Sequence, residues 1–151
     1  MEIDGEIAGQ VVCVKAVIDT DEGKQLPIMT LGPICIAPAY KRQGYGRILL
    51  DYVLAEAEKS GYGAVCFEGD IAFYGGSGFT YASEFNLRYH GLPEGADSSF
   101  FLCKELKKGY LSGVSGEYST PQGYFVDEGQ AEEFDKAFPP KKKEKREGQL
   151  F

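Results

Sequence analysis

The sequence predicts a mixed α/β sheet of the α+β class, and three observations predict it. Apolar runs rich in β-branched and aromatic residues recur at 6–18, 26–38, 64–68, 79–89 and 99–106. A single long stretch, 45–59, carries apolar residues at helical spacing. The resulting order is strand, strand, long helix, strand, short helix, strand, strand, which lacks the regular alternation of stacked βαβ units.

Asp4-Gly5 reads as a turn, and 6-EIAGQVVCVKAVI-18 after it as a strand. The polar run 19-DTDEGK-24 turns the chain into a second strand, 26-LPIMTLGPICIAP-38. Pro33 cannot donate to a sheet ladder, so it marks a bulge, a bend or an edge, and Pro38 ends the strand. In the helix at 45–59 the apolar positions are Ile48, Leu49, Tyr52, Val53 and Ala57, and Ser60-Gly61 supplies the stop. A short buried strand follows at 64-AVCFE-68, then 70-DIAFYGGSG-78, which has room only for a short helix before its glycines. The runs 79-FTYASEFNLRY-89 and 99-SFFLCKEL-106 each read as a strand. Beyond Lys107, residues 110–126 suggest one or two short strands, and 127–138 a brief helix with Phe134 and Phe138 on one face. The domain division expected is a core at 1–106, an extension packed on it at 107–138, and a basic flexible tail at 139–151.

At 151 residues and 43% apolar content, one globular domain can bury a core. No run approaches the roughly 18 apolar residues of a membrane span, and MEIDGEIAGQ lacks a cationic start with an apolar block. The expected location is therefore the cytoplasm. Cys13, Cys35, Cys66 and Cys103 never form CxxC and sit in strand-like runs, where free cysteine behaves as a small buried hydrophobe. With His90 the only histidine, no metal site is expected. The net charge is −7 although 141-KKKEKRE-147 is basic, so the rest of the chain is more acidic still. Such a body argues against nucleic-acid binding.

Against that acidity, 38-PAYKRQGYGRILLDYVLAEAEK-59 gathers Lys41, Arg42 and Arg47 around Gly44-Tyr45-Gly46 at the mouth of a helix. A helix start presents unpaired N–H groups and the positive end of the dipole, which suits phosphate oxygens. The plainer alternative is a tight turn with exposed cations. GxxxxGK[ST] is absent, and GYGRIL lacks the third glycine of GxGxxG.

The pattern 41-KRQGYG-46 resembles the acyl-CoA pyrophosphate loop, [QR]-x-x-G-x-[GA], of the GNAT superfamily of N-acyltransferases, with Lys41 at the Gln/Arg position. Its flanks, 34-ICIAPAYKRQGYGRILL-50, look like that superfamily's fourth strand, loop and third helix. Downstream, 74-YGGSGF-79 is similar to the Y-x-x-x-G-F after its fifth strand. The resemblance covers about residues 5–106.

It implies a GNAT-like fold that takes acetyl-CoA as acyl donor, without a metal, and acetylates an amine. Pantetheine would run along Ile34, Cys35 and Ile36, and the pyrophosphate along Lys41, Arg42, Gln43, Gly44, Tyr45, Gly46 and Arg47. Phe73 would wall the arm or simply fill the core. Tyr74 would protonate the leaving thiolate, a phenol near pKa ~10 serving a thiol near ~8.5, or only pack the short helix. Glu68 is the first candidate for the base, then Asp70, Glu84 and His90, although a carboxylate at a strand end can be merely solvated. A covalent role for Cys35 runs against direct attack by the amine.

The superfamily normally opens with a strand and two helices before a turn like Asp4-Gly5, so the resemblance reads as N-terminally incomplete, with a homodimer covering the exposed face. The leading function is acetyl transfer to a primary amine. The alternatives are a noncatalytic acyl-CoA-binding module and a protein-interaction module.

Overall fold

Asp4 and Gly5 both take positive φ, 51° and 82°, the geometry of a two-residue hairpin turn. They join β1 (Glu2–Ile3) to β2 (Glu6–Ile7). Two long antiparallel strands follow, β3 (Gly9–Thr20) and β4 (Gln25–Ile36). Val11 pairs with Ile34 and Cys13 with Leu31, so Gly32 and Pro33 together face Val12, which is the bulge Pro33 announces. In this computed structural model residues 1–140 and residue 142 are described. The basic run at 141–147 therefore lies, Lys142 apart, outside the described residues, as does most of the tail expected at 139–151.

Helix α1 spans Tyr45–Lys59 and ends at Ser60 with Gly61 left-handed at φ 97°. Its buried stripe is Leu49, Leu50, Leu54 and Ala57, while Ile48 and Tyr52 are exposed. The apolar spacing read from the sequence includes those two. The apolar positions of α1 form two overlapping stripes, and packing against the sheet selects the one nearer Leu54.

Strand β5 (Ala64–Glu68) pairs antiparallel along its whole length with β8 (Phe101–Glu105), but parallel to β4 only at Met29↔Val65. Beyond that point β4 and β5 diverge. Between β5 and β8 lie α2 (Ile71–Tyr74), capped by Asp70, a 3-10 turn at Gly75–Ser77, β6 (Thr80–Tyr81) and β7 (Leu87–Tyr89). The single strand expected at 79–89 is two, broken by a 3-10 turn at Ala82–Phe85 and by Asn86 at φ 56°. Periodicity could not show this, because the segment leaves one side of the sheet and joins the other.

The seven-stranded order is β6-β8-β5-β4-β3-β9-β7, with β9 at Gly116–Tyr118. Strands β6 and β7 therefore hold opposite edges, although only residues 82–86 separate them. Six Cα steps reach at most ~21 Å, whereas six spacings of a flat sheet cover ~29 Å. The sheet must curl. Inside the curl, Phe101 of β8 stacks on Tyr118 of β9 at 5.1 Å with Tyr89 beside both, in a core with Ile18, Ile28 and Cys66. On the outer face Val65, Phe67, Phe79 and Leu102 pack under Leu50 and Leu54 of α1.

The chain divides into two compact units, Met1–Pro121 and Gln122–Phe151. The first extends past the boundary at 106 because β9 is a strand of the main sheet. The second contains α3 (Glu128–Asp135), capped by the Asp127 carboxylate accepting from Gln130 N–H at 2.8 Å, and Phe134 and Phe138 lie 5.1 Å apart. Cys66 and Cys103 are buried directly opposite each other, both as free thiols, with Sγ atoms 3.2 Å apart. Cys35 is exposed, contrary to the buried position expected, because it sits where β4 has left β5.

Candidate active site

Gly44 sits at φ 87° immediately before α1, and no acidic residue or capping side chain occupies the first turn. Arg47 N–H and Ile48 N–H both donate to Gly44 O, at 3.0 and 3.2 Å. The amides of Gly44, Tyr45 and Gly46 make no hydrogen bond among the described residues. Arg42 also takes a positive φ, 60°, so left-handed residues stand on both sides of Gln43, the alternation that in backbone nests favours an anion. An uncapped helix start with such donors favours an anion.

The loop borders a cleft of about 590 Å³. Ile34, Cys35, Ile36, Lys41, Arg42, Gly44, Gly46, Arg47 and Phe73, all singled out in the sequence, line it. Gln43 and Tyr45 do not. Gln43 Nε2 donates back to Ala39 O at 2.9 Å, and the Tyr45 ring lies edge-on to Tyr40 at 5.9 Å, so both stiffen the loop. Tyr40, Leu50 and Ser77 complete the lining. Of these only Leu50 carries a sequence signal, lying one helical turn beyond Gly46. On the side facing the cleft, Ile34 to Ile36 have no ladder partner from β5, so this strand edge can pair with an extended ligand.

Arg47 differs from Lys41 and Arg42. Its Nε donates to both oxygens of Asp51, at 2.9 and 2.8 Å, and its Nη1 to Gly76 O at 2.7 Å. That bond ties the loop at 41–46 to the turn at 75–77, joining the two sequence motifs. No ion pair engages Lys41 or Arg42 among the described residues.

Tyr74 lies outside the cleft lining, half-buried among Phe67, Phe73 and Phe79, with ring centroids 4.6, 4.8 and 5.9 Å away. Burial pushes its phenol above the ordinary value, so it carries its proton at neutral pH. Its hydroxyl has no hydrogen-bond partner among the described residues. Glu68 shares the inner face of the curl with Cys66, two residues back, whereas Tyr74 packs on the outer face against Phe67. Glu68 Oε1 accepts from Tyr89 OH at 2.5 Å and from Thr120 Oγ1 at 3.3 Å. Asp70 is committed to capping α2, accepting from Ala72 N–H at 2.9 Å. Glu84 is exposed on a 3-10 turn, and His90 Nδ1 lies 3.2 Å from Glu117 Oε2. Among the described residues no cluster of three His, Cys, Asp or Glu side chains is placed to hold a metal.

Known proteins resemble this chain in sequence and fold. The family described as acetyltransferase (GNAT) domain matches residues 1–81. An uncharacterized N-acetyltransferase of Escherichia coli strain K12, YhbS, is 32% identical over 109 residues, covering 72% of this chain and 64% of its own. The chain thus spans a little under two thirds of the curated relative it matches. A crystal structure of the Escherichia coli YhbS protein in complex with CoA superposes with a TM-score of 0.69 at 27% identity, covering 80% of this chain and 64% of that one. A GNAT acetyltransferase from Brucella melitensis, in complex with acetyl-CoA, has the same fold at 20% identity, with a TM-score of 0.60 and coverage of 82% and 65%. Because the family match takes in β4, the glycine loop, α1 and the Tyr74 turn, and more than half of the sequence, this chain belongs to the GNAT acetyltransferase family.

Proposed function

We propose that the protein is an acyl-CoA-dependent N-acetyltransferase that passes the acetyl group of acetyl-CoA to a primary amine. The carrying observation is the pair of unpartnered amides at Gly44 and Gly46, whose residues line the cleft, with the unpartnered amide of Tyr45 between them. They suit the diphosphate of coenzyme A, with Lys41 and Arg42 adding charge-assisted contacts. The edge of β4 at Ile34–Ile36 then receives the amides of the pantetheine arm. The CoA complex of the Escherichia coli relative supports this ligand.

The amine nitrogen attacks the thioester carbonyl carbon, forming the C–N bond while a main-chain N–H near Ile36 steadies the oxygen. The C–S bond breaks, and Tyr74 gives its proton to the departing thiolate. Glu68, directly or through water, takes the proton the amine loses. Phe73 walls the arm beside Tyr74. The reading includes a homodimer, for which exposed Ile48 and Tyr52 on α1 supply apolar surface; light scattering checks it.

Thermal-shift titration with acetyl-CoA, CoA and ATP tests the cofactor, because a ligand bound only by the native state stabilises it. The expected result is stabilisation by both CoA species and little by ATP. No stabilisation by either would sink the reading. A noncatalytic acyl-CoA-binding module is the second reading, favoured by the position of Tyr74 outside the cleft lining. Thiol release from acetyl-CoA with a panel of amines separates the two.

A further inference from the structure

The Glu68 carboxylate is exposed at the end of β5, yet two hydroxyls from distant parts of the chain hold one of its oxygens. Tyr89 belongs to β7, on the far edge of the sheet, and Thr120 follows β9. Tyr89 OH and Thr120 Oγ1 are themselves 2.6 Å apart. All three groups meet at Oε1. Oε2 has no partner among the described residues. Holding a glutamate in one rotamer costs conformational entropy, which a merely solvated carboxylate would not incur.

The location gives this arrangement a use. The last β4–β5 pairing is Met29↔Val65, so the gap between these strands opens three residues before Glu68. Ile34–Ile36, which line the cleft, form the β4 wall of that gap, and Glu68 ends the β5 wall. The cleft opens toward the α1 side, where Leu50 lines it, whereas Glu68 stands on the inner face of the curl. A thioester reaching the gap from one face would therefore meet an amine arriving from the other.

We infer that Tyr89 is a positioning residue for the acceptor amine: with Thr120 it fixes Oε1 of Glu68 and leaves Oε2 to receive the ammonium group. The inference rests on the transferase reading above. The acceptor is then a cationic primary amine, and Tyr89 acts on it only through Glu68.

The variant Tyr89→Phe keeps the ring that packs against Phe100, Phe101 and Tyr118 at 5.2, 5.5 and 5.8 Å, so the fold survives the loss of the hydroxyl. Thr120→Val removes the second hydroxyl at nearly constant volume. Thiol release from acetyl-CoA is measured with spermidine and with lysine amide as probe amines, and CoA-induced thermal stabilisation is measured in parallel. The expected result for Tyr89→Phe is about a tenfold loss of kcat/KM for the amine, carried mainly by its KM. The KM for acetyl-CoA and the CoA stabilisation stay at wild-type values. Thr120→Val shows the same pattern more weakly. In a Glu68→Gln background Tyr89→Phe adds nothing further, the non-additivity of groups acting as one unit. Wild-type amine KM in Tyr89→Phe, or additive effects with Glu68→Gln, overturns the inference. So does a wild-type protein that CoA stabilises but that releases no thiol above the amine-free blank. Absence of CoA stabilisation in the wild type instead removes the transferase reading beneath it.

Discussion

Gly44 and Gly46 stand two residues apart, and a methyl group would affect them in opposite ways. Gly44 holds φ 87°, so Gly44→Ala destabilises by about 1–2 kcal/mol although its Cβ would meet nothing within 4 Å. It also weakens the stabilisation given by CoA, since the turn that presents the amides shifts. Gly46 lies inside α1, and its Cβ would make only an ordinary 3.7 Å contact with Ile36. Gly46→Ala therefore raises stability, by at most about 1 kcal/mol, and keeps the CoA response. Urea midpoints and thermal shifts on both variants check this contrast. Tyr74→Phe keeps the ring contacts with Phe67, Phe73 and Phe79 and removes only the hydroxyl proposed as the acid. Its kcat should fall roughly 10²-fold with an unchanged KM for acetyl-CoA; steady-state kinetics decide it, and full turnover would remove the acid role. Tyr74 was legible from 74-YGGSGF-79. Gly69 was not, although a Cβ there would come within 2.8 Å of the Tyr74 ring, because that contact depends on how α2 folds back against β5.

At the scale of elements, α1 was legible from end to end, since glycines and helical spacing are local signals. Which stripe it buries was not. Leu54→Ala should cost about 2–5 kcal/mol by opening a cavity between α1 and the sheet. Tyr52→Ala, on the outer face, should stay within about 0.5 kcal/mol. Chemical denaturation of the two variants reads the difference, and the reverse ranking would contradict the observed stripe. The strand run at 79–89 failed for another reason. Apolar residues report burial, and Phe79 and Leu87 are buried, but the strands beside them pair at opposite edges of the sheet.

For the whole molecule, titrating groups set the pH range of stability. Arg88 and Ser115 hold the Asp21 carboxyl below its ordinary range, the Leu111 and Gly109 amides do the same for Glu105, and Ser99 for Asp97. A lowered folded pKa contributes stability above the unfolded value, near ~4, that is lost as pH falls through the folded one. At the alkaline end, burial pushes the Tyr118 phenol up to about 12, with Tyr89 also raised by burial. Their contribution is complete below the unfolded value near ~10 and is lost as pH rises through the folded ones. Urea midpoints across the pH scale should be flat through neutrality, fall below about 4 and fall again above about 10. A midpoint rising between pH ~10 and ~12 would contradict the assignment for Tyr118.

By itself the sequence determined the two long strands, the helix at 45–59, the glycine loop with its cations, and the family. Each depends on residues a few positions apart: backbone dihedrals open to glycine, donors left over at a helix start, side chains one turn distant. Only the tertiary structure decided that β6 and β7 hold opposite edges of a curled sheet, that Arg47 spans the two motifs, and that Glu68 meets Tyr89 and Thr120. The physical reason is chain separation. Glu68 lies 21 residues from Tyr89 and 52 from Thr120, and no local preference of the backbone brings such residues together until the sheet bends and buries Phe101 against Tyr118.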